Sequence, residues 1–114
     1  MRTDFSAAVI AGGAGRRMGF DKRLLMVDGV PLVVRAVAAV APLASEVLVA
    51  VSRDHPLPGR LLPDPRVRIV VDRVAGGGPL AGIEAALLEA QHDLVLVVAG
   101  DLPWLQPKLL RLLV

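Results

Sequence analysis

Residues 6–22 read Ser6-Ala7-Ala8-Val9-Ile10-Ala11-Gly12-Gly13-Ala14-Gly15-Arg16-Arg17-Met18-Gly19-Phe20-Asp21-Lys22. The apolar run Ala7–Ala11 breaks into a loop with four glycines in the eight positions 12–19. The run does not alternate with polar residues, so it predicts a strand buried on both faces, as in a parallel sheet. Glycine tolerates positive φ and lets a ligand approach the main chain closely. A strand that ends in such a loop presents N–H groups to an anion. This loop adds the cations Arg16, Arg17 and Lys22. Backbone donors and three positive charges together suit phosphate. The structural alternative, a tight surface turn, does not call for three cations beside its glycines.

Two familiar phosphate loops do not fit. A Walker A sequence needs Gly-Lys followed by Ser or Thr, and the chain has no Gly-Lys pair. A dinucleotide fingerprint needs G-x-G-x-x-G, but after Gly13 and Gly15 the third glycine is replaced by Met18, and Gly19 comes one residue late.

Beyond the loop the same alternation continues. Val47–Val51, Val67–Val71 and Leu94–Ala99 are further short apolar runs, each predicting a buried strand. Pro31–Val40 and Pro79–Gln91 open with proline, which suits a first helical turn. In the second of these, Leu80, Ile83, Leu87 and Leu88 predict the apolar stripe. Pro107–Val114 predicts a third helix. Strand, loop and helix in repetition indicate an α/β fold with right-handed crossovers. The segment His55–Pro65 holds four prolines and one glycine and reads as a surface loop. The uncapped apolar stretch at Leu109, Leu110, Leu112, Leu113 and Val114 leads us to expect a chain that belongs to a longer protein.

Composition narrows the function classes. Hydrophobic residues are 54% and charged residues 21% of the 114, enough to build a core. There is no cysteine, which excludes disulfides and Cys-ligated metals. Aromatics at 3% argue against a stacking platform for single-stranded nucleic acid. A net charge of +2 is no nucleic-acid footprint, so no nucleic-acid partner is expected. The mean hydropathy of +0.61 is high. No uncharged apolar run nears the roughly 18–20 residues that span a bilayer, so no membrane partner is expected. The N-terminus lacks a signal-peptide pattern, and a cytoplasmic domain is the expectation. No Ser–His–Asp or Cys–His set is legible. His55 and His92 are isolated, which does not support metal ligation. Arg66, Arg68 and Arg73 flank the third strand and read as a solvated edge.

Two aspartates sit at strand ends. Asp72 closes the third strand, ahead of Gly76-Gly77-Gly78-Pro79-Leu80-Ala81-Gly82. A glycine turn that leads into a helix offers free N–H groups at the positive end of the helix dipole. Asp101 follows the fourth strand in Gly100-Asp101-Leu102-Pro103. Ligands of open α/β sheets sit outside the carboxyl ends of strands, which is where both aspartates fall.

With these residues on the page, the chain resembles the nucleotidyltransferases related to molybdenum cofactor guanylyltransferase, the MobA-like NTP transferases. Their opening pattern L-A-G-G-x-S-x-R-M-G-x-D-K is matched at Ala11, Gly12, Gly13, Arg17, Met18, Gly19, Asp21 and Lys22, with Ile10 for Leu and Gly15 for Ser. Leu24-Leu25 and Gly29-Val30-Pro31-Leu32 look like the family's L-L-x-x-x-G-x-P-L, and Gly78–Gly82 and Asp101–Pro103 look like its G-P-L-A-G and D-x-P. The resemblance implies a three-layer Rossmann-like nucleotidyltransferase fold with a mainly parallel central sheet flanked by helices. Residues 1–114 would be its N-terminal nucleotide-binding part.

It implies transfer of GMP from GTP to molybdopterin carrying molybdenum, with pyrophosphate released and Mg²⁺ as cofactor. By the same resemblance Arg17, Lys22 and Asp101 are catalytic and Asp101 is the metal ligand. The nucleotide is held by Ile10, Ala11, Gly12, Gly13, Gly15, Lys22, Asp72, Gly78, Pro79, Leu80 and Asp101. Alternatives within the resemblance are a CTP-using cytidylyltransferase, another nucleotidyltransferase of this type, or a non-catalytic nucleotide- or molybdopterin-binding relative. Family members often carry an Asn at the end of the second strand. Aligned on Arg53, that position is Ala50, with Ser52 as the nearest polar side chain.

Overall fold

The computed structural model describes residues 4–12, 22–53, 56–72 and 78–100. Six strands and two α-helices follow in chain order: β1 (Ser6–Ile10), β2 (Met26–Val27), β3 (Val30–Pro31), α1 (Leu32–Val40), β4 (Glu46–Val51), β5 (Val67–Val71), α2 (Gly78–Glu89) and β6 (Val95–Ala99). Short 3₁₀ turns cover Lys22–Leu24 and Gly59–Leu61.

Four strands form one parallel sheet in the order β5-β4-β1-β6. Its two faces are built by residues of opposite parity, as strand geometry demands. Ala7 and Val9 of β1 and Val47, Val49 and Val51 of β4 pack with α1 residues Val33, Ala36, Val37 and Val40. Ala8, Leu48, Ala50 and Val70 pack with Ala86 of α2. Helices therefore flank both faces, and the α/β three-layer expectation holds. The central strands β1 and β4 are buried almost throughout, whereas β5 and β6 at the flanks of the described sheet are partly exposed. The four sequence-predicted strands agree with the observed ones to within one residue at each end.

Several local readings change. The Asp28-Gly29 pair was not foreseen as a turn, yet both residues have positive φ, 54° and 80°. That is the signature of a type I′ turn, and it joins β2 to β3 as an antiparallel hairpin of two residues a side. The segment His55–Pro65 is not purely a surface loop: Leu57 and Leu62 are buried in the α1-side core.

In α2 the predicted apolar stripe is not the buried face. Leu80, Leu87 and Leu88 are exposed, while Ala85 and Ala86 are buried. The reason is close packing. A Cβ at Gly82 would lie 3.3 Å from Ile10 Cγ2 and 3.5 Å from Ala50 Cβ, so only small residues fit beneath this helix. The predicted helix at Pro107–Val114 lies outside the described residues. Among the described residues, no helix is long and apolar enough to cross a membrane.

The amino ends of the strands are closed by a polar latch. Glu46 opens β4 and is buried; its Oε2 accepts from Ser6 Oγ at 2.7 Å and from the Gln91 amide at 2.6 Å, and its Oε1 accepts from Arg68 Nη2 at 3.1 Å. Arg68 Nη2 also donates to Glu89 O at 2.8 Å. Arg68 is therefore a tie between β4, β5 and the end of α2, not merely a solvated edge residue. Arg66 is the solvated member, exposed and paired with Asp64 at 3.2 Å.

His92 is not isolated either: its Nδ1 lies 3.0 Å from Ser6 Oγ and 3.8 Å from Glu46 Oε2. Ser, His and Glu thus meet, but the Ser6 hydroxyl is fully buried and already donates to Glu46. No activated nucleophile results.

Burial raises the pKa of the Glu46 carboxyl, but hydrogen bonds from Ser6, Gln91 and Arg68 outweigh it and hold the group below its ordinary 4.5. A carboxyl depressed in the folded state stabilises the protein above its unfolded pKa, and that contribution is lost as pH falls through the folded value. Glu46→Gln removes the charge and sets an amide NH₂ against a donor. We expect it to lower the unfolding free energy at pH 7 by about 1.5–3 kcal/mol, the range for a hydrogen-bonded charged group. The gap to wild type should narrow below pH 4.5. Urea unfolding of both proteins at neutral and acid pH measures this, and equal stability at pH 7 would remove the latch from the account.

Candidate active site

The strand order sets where a ligand can bind. From β1 the chain crosses to β4 and then β5 on one side, and returns through α2 to β6 on the other. The order reverses between β1 and β6. In open parallel sheets that switch point opens a crevice at the carboxyl ends of the strands. Here those carboxyl ends are Ile10 and Ala99, which are register partners.

The ladder continues just beyond the strands. Gly100 N–H donates to Ile10 O at 2.9 Å, Ala11 N–H to Ala50 O at 2.7 Å, and Asp72 N–H to Val51 O at 3.0 Å. Ile10 pairs with Ala50 and Ala50 with Val70. Two residues further along each strand, Gly12, Ser52 and Asp72 fall in one row. The chain leaves β6 through Gly100, and Asp101 is its next residue. Gly100 sits tightly there: a Cβ would come 3.1 Å from Ile10 O and 3.2 Å from Val9 Cγ1. A side chain at position 100 would push β6 away from β1 at the mouth of the crevice.

The predicted site residues divide into those the structure places and those it does not. Ile10, Ala11 and Gly12 run out of β1 at the switch point. Ile10 is partly buried and packs toward α2. Ala11 has both main-chain groups engaged, its N–H by Ala50 and its C=O by Arg23 Nη1 at 2.7 Å. No described residue comes within 4 Å of where a Cβ at Gly12 would stand.

Lys22 opens the 3₁₀ turn that follows the glycine-rich loop. Gly78 and Pro79 begin α2, and Leu80 in its first turn is exposed. Gly13, Gly15, Arg17 and Asp101 lie outside the described residues, as do His55, Arg73 and Trp104.

Asp72 is 3% exposed, and its Oδ1 has no hydrogen-bond partner among the described residues. A buried carboxylate oxygen left without a partner is costly, which marks it as an acceptor awaiting a donor. It stands just past the end of β5, on the carboxyl edge of the sheet. Three strand spacings of about 4.8 Å separate β5 from β6, so Asp72 and the exit of β6 stand roughly 14 Å apart.

Ala50 is fully buried under α2 with its Cβ beside Gly82, so its side chain does not reach the crevice. The polar side chain at the end of β4 is Ser52, two residues on and itself buried. Sequence alignment on Arg53 had put the nucleotide-contacting position at Ala50. Residues 50 and 52 share a parity, and 52 lies just past the last residue of β4. The close contact of Gly82 with β1 and β4 likewise gives the last glycine of Gly78–Gly82 a packing role.

Comparison with known proteins agrees with this architecture. The model of the MobA-like NTP transferase domain matches residues 7–114. A relative from Chloroflexus aggregans named probable molybdenum cofactor guanylyltransferase is 41% identical over 111 residues, covering 95% of this chain and 51% of the relative. A protein of the same name from Methanothermobacter thermautotrophicus is 44% identical over 100 residues, covering 86% of this chain and 50% of its own. Among solved structures, a nucleotidyl transferase from the same archaeon superposes with a TM-score of 0.80 at 26% identity, over 96% of this chain and 56% of that one. The chain thus spans about half the length of the curated relatives it matches. With its parallel sheet, its glycine-rich exit from β1 and its match across residues 7–114, the chain belongs to the MobA-like NTP transferase domain family.

Proposed function

We propose that this chain carries the nucleotide-binding half of a cytoplasmic guanylyltransferase that moves GMP from GTP onto molybdopterin bearing molybdenum and releases pyrophosphate. The observation that supports it most is the switch point between β1 and β6, where the glycine-rich loop starts and from which Asp101 follows. The names of the relatives supply the guanine nucleotide and the molybdenum cofactor as substrates.

In this reading a terminal phosphate oxygen of the acceptor attacks the α-phosphorus of GTP. The new P–O bond forms as the bond to the bridging oxygen of the β-phosphate breaks, and the electron pair leaves with pyrophosphate. The attacking oxygen is already an anion, so no protein nucleophile or strong base is required. Catalysis is then positioning and charge neutralisation.

Main-chain N–H groups of residues 12–15, Gly13 and Gly15 among them, hold the phosphates. Arg17 and Lys22 offset the charge that gathers on the departing pyrophosphate. Asp72, whose buried Oδ1 has no partner among the described residues, accepts a donor from the nucleoside near Ile10, Ala11 and Gly12 at one side and Gly78, Pro79 and Leu80 at the other.

Mg²⁺ takes hard oxygen ligands, and the Asp101 carboxylate would hold it beside the phosphates. When bound, Mg²⁺ supplies Lewis-acid stabilisation of the charge on the phosphate oxygens.

Turnover with GTP and not with CTP is the expected outcome when each nucleotide is offered with molybdopterin and pyrophosphate release is measured. Turnover with CTP alone would instead make the protein a cytidylyltransferase. Nucleotide binding without pyrophosphate release would make it a non-catalytic relative. Lys22→Ala and Asp101→Ala should each lower kcat/KM at least about a hundredfold, on the order of 3 kcal/mol, with circular dichroism unchanged. Wild-type rates in either variant would remove that residue from the site.

A further inference from the structure

A buried cation stands at the base of the glycine-rich loop, and the chemistry above gives it no task. Arginine is rarely buried without partners, yet Arg23 is 4% exposed. It occupies the middle of the 3₁₀ turn Lys22–Leu24. Among its contacts, Nη1 donates to Ala11 O at 2.7 Å. Ala11 is the last residue before the glycines, and its own N–H is fixed on Ala50 O. The bond therefore closes the chain on itself, with residues 12–22 strung between its two ends.

Three physical consequences follow. Glycines lose more conformational freedom on ordering than any other residue, so a loop rich in them needs an external restraint. A guanidinium stays charged throughout the pH range of the folded protein, and its bond to a carbonyl is charge-assisted. A carbonyl held by a cation cannot swing toward an anion, so Ala11 O is kept from turning toward a phosphate. The turn that carries Arg23 also carries Lys22, which fixes the lysine's main chain to the same anchor.

We infer that Arg23 is a positioning residue of the nucleotide site: it clasps the base of the glycine-rich loop so that the loop amides and residue 22 meet a triphosphate in one frame. What the loop holds rests on the guanylyltransferase reading; the clasp itself rests on the contact with Ala11.

The test uses the full chain with Arg23→Met, which keeps an apolar stem without donors, and Arg23→Lys, which keeps one charged donor on a shorter reach. Amide hydrogen exchange at residues 11–13 is followed in the free protein, and kcat and KM for GTP are measured well below the melting temperature. R23M should exchange these amides about tenfold faster and lose about tenfold in kcat while circular dichroism stays that of a folded protein, and R23K should recover part of both. A merely stabilising arginine would lower Tm and leave kcat of the folded molecules untouched. Wild-type exchange and kcat in R23M overturn the proposal. If R23M does not fold, R23K decides, with faster exchange and lower kcat expected and wild-type values overturning it. If wild type itself fails to turn over GTP, the guanylyltransferase reading falls, and the exchange measurement still decides the clasp.

Discussion

The parallel pairing of β1 with both β4 and β6 is the constraint on which the rest depends. It places Ile10 level with Ala50 on one side and Ala99 on the other. Because the neighbours of β1 are reached in opposite directions along the sheet, a crevice must open where they part. Every chemical feature of the molecule is then a matter of which residues leave the strands at that level. Parallel pairing also forces all the carboxyl ends to one edge, so strand-end residues far apart in the chain become neighbours.

Keeping that register has a structural cost, and the protein meets it at two places. At the amino edge, Glu46 gathers donors from β1, β5 and the segment after α2, so the four strands start level. On the α2 face, Gly82, Ala50, Ala85 and Ala86 are small enough for the helix to lie close on β1 and β4. The outcome is a helix whose larger leucines point outward, the reverse of an ordinary amphipathic surface helix. The crossover from β5 to the parallel β6 sets the N-terminus of α2 toward the carboxyl edge of the sheet.

Much of this was legible in the residues. The four main strands could be read because parallel strands are continuous apolar runs, and two helices because each opens beside a proline. Of the site residues read from the sequence, Asp72 is seen buried past the end of β5, whereas Gly13–Asp21 and Asp101 lie outside the described residues. The β2–β3 hairpin was not foreseen, although Asp-Gly is a strong turn signal, because strands of two residues leave no periodicity to detect. The leucine stripe of α2 misled because hydrophobicity alone does not distinguish the face a helix buries when both faces are apolar. That Ala50 lies beneath α2 and Ser52 just past the end of β4 could be read only from the register and the packing.

The sequence by itself determined the fold class, since it is written in local patterns: runs of branched residues that end in glycine or aspartate, alternating with segments that open beside a proline. Only the tertiary structure decided how those parts are held. Ser6 meets Glu46 and His92 across 40 and 86 positions, and Arg23 meets Ala11 across 12. None of these pairings has a local signature, because each side chain finds its partner only once the strands are in register and the intervening chain has folded back.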